Sequence, residues 1–156
     1  MTKQKLVELY QNLKNLGELK GVKFAYGVAK NIGIIQPEIE ALQKAINPTE
    51  DFSLFEKERI ELAKNHSKKD DKGNPIIENN QFIMEDTEKF SKEFEALKEN
   101  HKEAIYKREK QTEDYNNLLK EEIEINLYKI KISDVPQDIS AKQLEGIFGI
   151  IENDGY

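Results

Sequence analysis

The sequence comprises 156 residues with a formal net charge of −6, and charged residues make up 35% of it against 37% apolar residues. This balance is typical of exposed amphipathic helices and disfavours a compact enzyme with a deep cleft. Lysine and glutamate are mixed along the chain, so we expect no concentrated basic surface and no nucleic-acid partner. The absence of cysteine excludes disulfides and thiolate chemistry. Because no apolar run approaches the about 18 residues of a membrane span, we expect no membrane partner and a cytoplasmic location.

The first part of the chain is predicted to be helical. Apolar residues recur at three- and four-residue steps from Leu6 to Leu16, and Gly17 interrupts this pattern. A second helical pattern runs from about Glu18 to Ile46. Pro37 lies within it and predicts a kink or break near Gln36, because proline removes a backbone donor and clashes with the preceding turn.

A third helix is predicted to start at Asn47-Pro48-Thr49-Glu50. The asparagine can cap the helix, the proline suits its first position, and the glutamate can close a capping box. The helix is expected to end near Lys68, so that residues 1–68 form the N-terminal helices.

Residues 69–86 are predicted to form a turn and a β-hairpin. The stretch Lys69 to Asn74 has the composition of a turn, and Asn79-Asn80 separates two short apolar stretches. Asparagine tolerates positive φ, which a two-residue hairpin loop requires.

Residues 87–120 are predicted to form one long helix, capped by Asp86 or Thr87. At a rise of about 1.5 Å per residue, about 30 residues give a helix about 45 Å long. This segment is too polar to be buried on all sides, so we expect it to pair with one helix along a narrow seam, as in a coiled coil. Its stripe of Phe90, Phe94 and Leu97 is predicted to pack on the preceding helix. The partner side chains there are predicted to be Leu54, Phe55 and Ile60.

Residues 121–156 are predicted to contain a strand and a short helix. Apolar residues alternate from Ile123 to Ile132, with a change of phase between Leu127 and Tyr128. Because its backbone needs partners, we predict that this strand joins the hairpin in an antiparallel sheet. Without such pairing it would be an open edge that recruits a partner strand.

The stretch Ser140-Ala141-Lys142-Gln143 is a capping-box pattern that predicts the start of the final helix. Its apolar side chains Leu144, Ile147 and Phe148 are expected to cover one face of the sheet.

Taken together, the elements predict a single domain over residues 1–156 of the mainly α (α+β) class. Long antiparallel helices would carry a small β-hairpin or antiparallel sheet at one end, followed by a short C-terminal helix.

The motifs of common active sites are missing from the sequence. Its two histidines, His66 and His101, lie far apart and outside the helical spacings of metal ligands. The glycines at 21, 27 and 33 lack the strand and the Gly-Lys-Ser/Thr of a phosphate loop. The stretch Asp70 to Asn74 resembles a calcium loop only superficially, because lysines and an asparagine would occupy ligand positions. We therefore predict no enzyme activity and no catalytic, cofactor-binding or metal-binding residue.

Five stretches carry a resemblance to a known group. They are, in chain order, Lys23–Asn31, Pro37–Leu42, Asp70–Pro75, Glu93–Leu97 and Glu121–Ile125. They resemble a family of small uncharacterised proteins encoded by tailed bacteriophages and prophages, over roughly Lys23 to Ile132. The resemblance implies a virus-encoded protein in the bacterial host cytoplasm or in the virion, and it implies no catalytic residues. The order of helix, hairpin and helix also resembles the layout of prefoldin-type chaperone subunits.

The leading hypothesis is a non-enzymatic phage-encoded accessory protein that acts by protein–protein contacts, as a minor virion or assembly component or an adaptor. Its partner would be a viral or host protein, with a homo-oligomer as a further possibility. The alternatives are a prefoldin-like chaperone and an inhibitor of a host enzyme or defence system, for which an acidic surface would suffice.

Overall fold

A computed structural model describes residues 1–153 and shows a mainly α protein. The chain divides into two compact units, of which the first combines Met1–Ile46 with the chain from Asp114 onward, and the second is Asn47–Glu113. Two compact units can belong to one folding domain, so the single domain over residues 1–156 stays a prediction.

The first unit is built on three helices, α1 (Lys3–Lys14), α2 (Val22–Ile46) and α6 (Ala141–Ile147). It also holds two short strands, β3 (Ile130–Lys131) and β4 (Ile151–Glu152), which pair in parallel. Short 3-10 helices follow β3 and α6. The capping box predicted at Ser140 is confirmed, since the Ser140 and Gln143 side chains each bond the other's backbone.

An apolar core fills the first unit. It is formed by the buried side chains Leu6, Leu9, Leu13, Leu16, Phe24, Val28, Ile35, Ile39, Ile130, Ile147 and Ile150. The leucines of α1 recur at the predicted helical spacing, so one face of α1 lies in this core. Phe148, which was expected to cover a sheet, is instead 71% exposed, because a 3-10 helix begins there and turns Ile150 inward.

Helix α2 begins and continues differently from the prediction. It starts at Val22, after Gly21 adopts a φ of 129° that few other residues reach. The break expected near Gln36 does not occur, and α2 runs through Pro37 to Ile46. The buried side chains of Ile35 and Ile39 lie on either side of the proline, and their packing outweighs the one lost hydrogen bond.

The strand predicted from Ile123 to Ile132 is wrong in its extent and in its partners. Only β3 is a strand, and it pairs with β4 instead of the hairpin. At the other end of the segment, Ile123 N donates to Met1 O at 2.8 Å, and Lys3 N donates to Glu121 O at 3.0 Å. The sequence pattern indicates that a segment prefers an extended backbone, but it does not specify the pairing partner. In the structure, the partners are Met1 and Lys3 near the start of the chain and β4 near its end.

The second unit contains α3 (Glu50–Asn65), a hairpin of β1 (Ile77–Glu78) and β2 (Gln81–Phe82), and α4 (Thr87–Asn100). The hairpin is antiparallel, and Asn79 and Asn80 have φ of 50° and 61°, which confirms its predicted loop. Asp86 caps α4 through the Lys89 amide. Helix α3 is capped by Thr49 and not by Asn47, since the threonine hydroxyl accepts from Phe52 N.

The long helix predicted over residues 87–120 is two helices. Helix α4 ends at Asn100, and α5 (Lys102–Lys120) begins in the second unit after a break at His101. His101 has φ −109° and ψ 18°, outside the helical region, and its ring bonds α3. Backbone hydrogen bonds from His101 N to Leu97 O and from Ile105 N to His101 O continue across this position, so the break is confined to one residue.

Candidate functional site

Helices α3 and α4 are held together by two reciprocal contacts. His66 caps the end of α3 and places Nε2 2.9 Å from Glu93 Oε2 on α4. His101 caps the end of α4 and places Nε2 2.7 Å from Glu58 Oε2 on α3. The contacts cross in opposite directions, so the two helices are antiparallel, as predicted from the short hairpin between them.

Aromatic rings line this helix pair. Phe55 lies 5.7 Å from Phe52 and 5.5 Å from the His101 ring, measured between centroids. On α4, Phe90 and Phe94 are stacked at 5.7 Å. Phe55 is 5% exposed, whereas the other three phenylalanines are only half-buried. Helix α4 packs on α3, as predicted. The buried Phe55 contacts His101 at the end of α4, whereas Leu54 and Ile60 are 49% and 39% exposed and do not belong to the buried part of the seam.

An open groove of about 500 Å³ lies between α3, α4 and the start of α5. Its apolar lining consists of Phe52, Phe55, Phe94 and Ile105. Its charged lining consists of Arg59, Lys98, Arg108 and Glu109. Cationic residues therefore outnumber acidic ones around an apolar floor.

The groove's cations lie close to its rings and to neighbouring polar groups. The Arg108 guanidinium is 5.6 Å from the centre of Phe52, and Lys98 Nζ is 5.1 Å from that of Phe94. Arg59 donates to both carboxylate oxygens of Glu56 at 3.0 and 2.7 Å. These hydrogen bonds raise the pKa of Arg59, and the guanidinium is charged at neutral pH in any case.

The groove has the features of a recognition surface. Polar groups placed around an apolar floor orient a ligand, and aromatic and arginine side chains are enriched where proteins bind one another. Among the described residues, no group of three or more His, Cys, Asp or Glu side chains converges on a point that could hold a metal ion. The groove can therefore bury apolar groups of a ligand on its floor and attract carboxylates to its cationic side chains.

The residues weighed as candidate ligands in the sequence have structural roles here. His66 and His101 contact glutamates between helices. Gly27 lies against Ile130, where an added Cβ would come within 2.7 Å of Cγ1. Asp70 accepts hydrogen bonds from the amides of Asn74 and Lys72, and these bonds lower the pKa of its carboxyl group. The stretch from Asp70 is thus the turn that was predicted, closed by a side chain.

Sequence reasoning predicted no site residue and so did not identify the groove. It did place Phe55 and Phe94 on one helix seam, and Ile105 and Arg108 on the same long helix as Phe94. It did not predict the open space that these side chains leave between α3, α4 and the start of α5, because such a space depends on tertiary packing.

No protein-family model, curated protein or solved structure matches this chain. Within residues 1–153, no helix has the length and apolar character needed to cross a bilayer.

Proposed function

We propose that the protein acts by binding another protein, and that the groove between α3, α4 and α5 receives an amphipathic helix of that partner. The observation that carries the proposal is the groove's aromatic floor, where Phe52, Phe94 and Ile105 remain half-buried around the buried Phe55. Apolar side chains left this way release water when a partner covers them, which favours association.

Charge decides which kind of helix fits the groove. Arg59, Lys98 and Arg108 line it against the single carboxylate of Glu109. Arg59 and Lys98 also contact Glu56 and Glu95, but a guanidinium has five N–H donors and an ammonium group has three, so each side chain retains donors for a further carboxylate. We therefore assign as partner a helix whose large aliphatic residues, spaced one turn apart, are flanked by aspartate or glutamate.

The setting we propose is that of an accessory protein encoded by a bacteriophage or prophage, acting without catalysis in the bacterial host cytoplasm or the virion. Its support is the resemblance of stretches such as Lys23–Asn31 and Asp70–Pro75 to small phage proteins. In this setting the partner is a viral structural protein or a host protein.

The groove is tested by comparing two substitutions that each place an aspartate on an apolar position. Ile105→Asp puts a carboxylate on the groove floor, whereas Leu54→Asp puts one on an exposed position of α3 outside the groove. Each tagged variant is expressed in phage-infected bacteria, so that viral and host proteins are both present. It is then recovered with its bound proteins and checked for folding by circular dichroism. We expect wild type and Leu54→Asp to retain the same partners and Ile105→Asp to lose them.

Three results would contradict the proposal. They are capture of the same partners by a folded Ile105→Asp variant, absence of any partner for wild type, and turnover of a substrate by the purified protein. If sedimentation shows that wild type dimerises and Ile105→Asp does not, the groove's occupant is a second copy of this chain.

A second candidate is a chaperone, favoured by the antiparallel α3 and α4 with β1 and β2 between them. Prefoldin-type subunits share that order. A chaperone of this kind would assemble through its hairpin and suppress aggregation of an unfolded client protein. A monomer that leaves client aggregation unchanged would exclude it.

A further inference from the structure

The segment from Glu124 to Leu127, in the first unit, has an unusual backbone. Ile123 before it is paired with Met1 in both directions, at 2.8 and 3.2 Å. Tyr128 after it is bonded through both its N–H and its C=O to the Asn31 side chain, at 2.8 and 2.9 Å. Within the described chain, the four residues between them have no backbone hydrogen-bond partner.

The side chains show that this segment is extended. Ile123, Ile125 and Leu127 are half-buried against the apolar core, whereas Glu124 and Asn126 between them are exposed. Burial of every second residue is the pattern of a β-strand with one face on a core. The segment is therefore anchored at both ends and packed beneath, yet it offers unpaired peptide groups.

We propose that Glu124–Leu127 is a docking edge for an extended strand of another protein, which adds to it by backbone hydrogen bonds. In an extended chain, alternate residues direct their peptide groups to the same edge. The edge of the segment that faces Met1 at Ile123 therefore also carries the peptide N–H and C=O groups of Ile125 and Leu127. A partner strand there prolongs the short ladder that Met1 and Lys3 begin.

The charges of the edge select the sequence of the strand. Glu122 and Glu124 have no ion-pair partner among the described residues, and Glu121 beside them bonds Lys3 at 2.9 Å. A second copy of this segment would bring glutamates next to glutamates, which destabilises neighbouring strands. The fitting strand alternates lysine or arginine, beside the glutamates, with aliphatic residues that continue the stripe of Ile125 and Leu127.

The probe for this edge is a capped seven-residue peptide in which valine alternates with lysine. Its binding is measured by fluorescence anisotropy, and amide exchange at Ile125 and Leu127 is followed by NMR. We expect saturable binding and slower exchange at both amides. No binding, or binding without protection of these amides, overturns the proposal.

Two N-methylated peptides test whether the backbone carries the interaction. Methyl groups are placed on every second peptide nitrogen, either on all valines or on all lysines. Because a docked strand turns only one of these sets toward its neighbour, one peptide should bind at least about tenfold more weakly and the other like the parent. Equal binding of both peptides means that apolar contact or charge alone is responsible, and refutes strand addition.

A charge reversal tests the selected sequence with a matched control. Glu124→Lys should weaken the valine-lysine peptide by about fivefold or more and strengthen a valine-glutamate peptide. Glu18→Lys makes the same change at an exposed position in the same unit and should alter neither. If wild type instead self-associates through this edge and excludes the peptide, the occupant is a second copy and the proposal is wrong. Ile105→Asp should leave peptide binding unchanged, which separates this edge from the groove.

Discussion

The two units bury their apolar residues very differently. Among the described residues, the largest fully buried side chains of the first unit are Phe24, Leu6, Leu13, Ile35, Ile147, Ile150 and Asn31. The second unit contributes Ser67 to this group of fully buried side chains. The buried apolar residues of the second unit are Phe55, Ala63 and Ala104. All residues of α4 are described, and none of them is buried.

This difference shows what holds each unit together. Apolar burial contributes most of the stability in the first unit, at roughly 25 cal/mol per Å². The second unit depends more on individual polar contacts, such as Thr49 and Asp86 at helix starts and the two histidine–glutamate contacts between helices. Four of its five phenylalanines, Phe52, Phe82, Phe90 and Phe94, are only half-buried. The first unit therefore relies mainly on a buried apolar core, and the second unit relies on such a core less.

The largest effect is expected from truncating one phenylalanine in each unit. Phe24 is 1% exposed, so Phe24→Ala should lower the free energy of unfolding by about 3–5 kcal/mol. Phe94 is half-buried, so Phe94→Ala should lower it by about 1–2 kcal/mol. Urea denaturation measures both. Equal losses would show that the second unit has a core as tight as the first.

The next effect concerns a buried polar residue of the first unit. Asn31 is fully buried and bonds both backbone groups of Tyr128. Asn31→Ala should lower the free energy of unfolding by about 2–4 kcal/mol, because these groups lose their partners. Asn126→Ala, on an exposed residue, should change it by less than about 0.5 kcal/mol. If Asn31→Ala left the free energy of unfolding unchanged, water would have replaced the side-chain amide as the partner of Tyr128.

Two glycines of α2 test how closely the first unit is packed. In Gly27→Ala the new Cβ would lie 2.7 and 2.9 Å from Ile130 atoms, which should destabilise the protein by about 1–3 kcal/mol. Nothing lies within 4 Å of such an atom at Gly33, so Gly33→Ala should stabilise it by about 0.5–1 kcal/mol. Thermal melting of both variants gives the comparison, and two stabilised proteins would disprove the close contact.

A smaller effect is expected from the contacts between α3 and α4. A double-mutant cycle of His101→Ala and Glu58→Ala should give a coupling energy of about 0.5–1 kcal/mol. The matched cycle combines Glu58→Ala with His66→Ala. Because His66 contacts Glu93 and not Glu58, this cycle should give a coupling energy close to zero. Similar coupling in both cycles would indicate a general charge effect without a specific contact.

The smallest effect is local and depends on pH. Hydrogen bonds from Asn74 and Lys72 lower the pKa of Asp70. The ionised carboxylate therefore stabilises the turn above the pKa of the unfolded chain, and that contribution is lost as the pH falls through the lowered folded value. We expect the Asn74 amide to exchange faster in Asp70→Asn at neutral pH, and not in Asp71→Asn. Equal exchange in all three proteins would contradict this role.

Several elements could be predicted because their signals are local. Asn79-Asn80 can adopt the positive φ that a hairpin loop needs, and Ser140 with Gln143 forms a capping box with no help from distant residues. The antiparallel pairing of α3 with α4 could be predicted because the hairpin between them reverses the direction of the chain. For the proposed binding groove, the sequence placed Phe55, Phe94 and Ile105 on predicted helices but did not indicate the open space between them.

The sequence by itself determined which segments prefer helix, turn or extended backbone, since those preferences come from side chains a few residues apart. Tertiary structure decided the rest. Helix α2 stays continuous at Pro37, with Ile35 and Ile39 buried on either side of it. Helix α4 ends at Asn100, next to His101, whose ring contacts Glu58 on α3. The chain termini, and not the hairpin, pair with Ile123 and Ile130. These outcomes depend on contacts between residues distant in sequence, whose energies no local pattern contains.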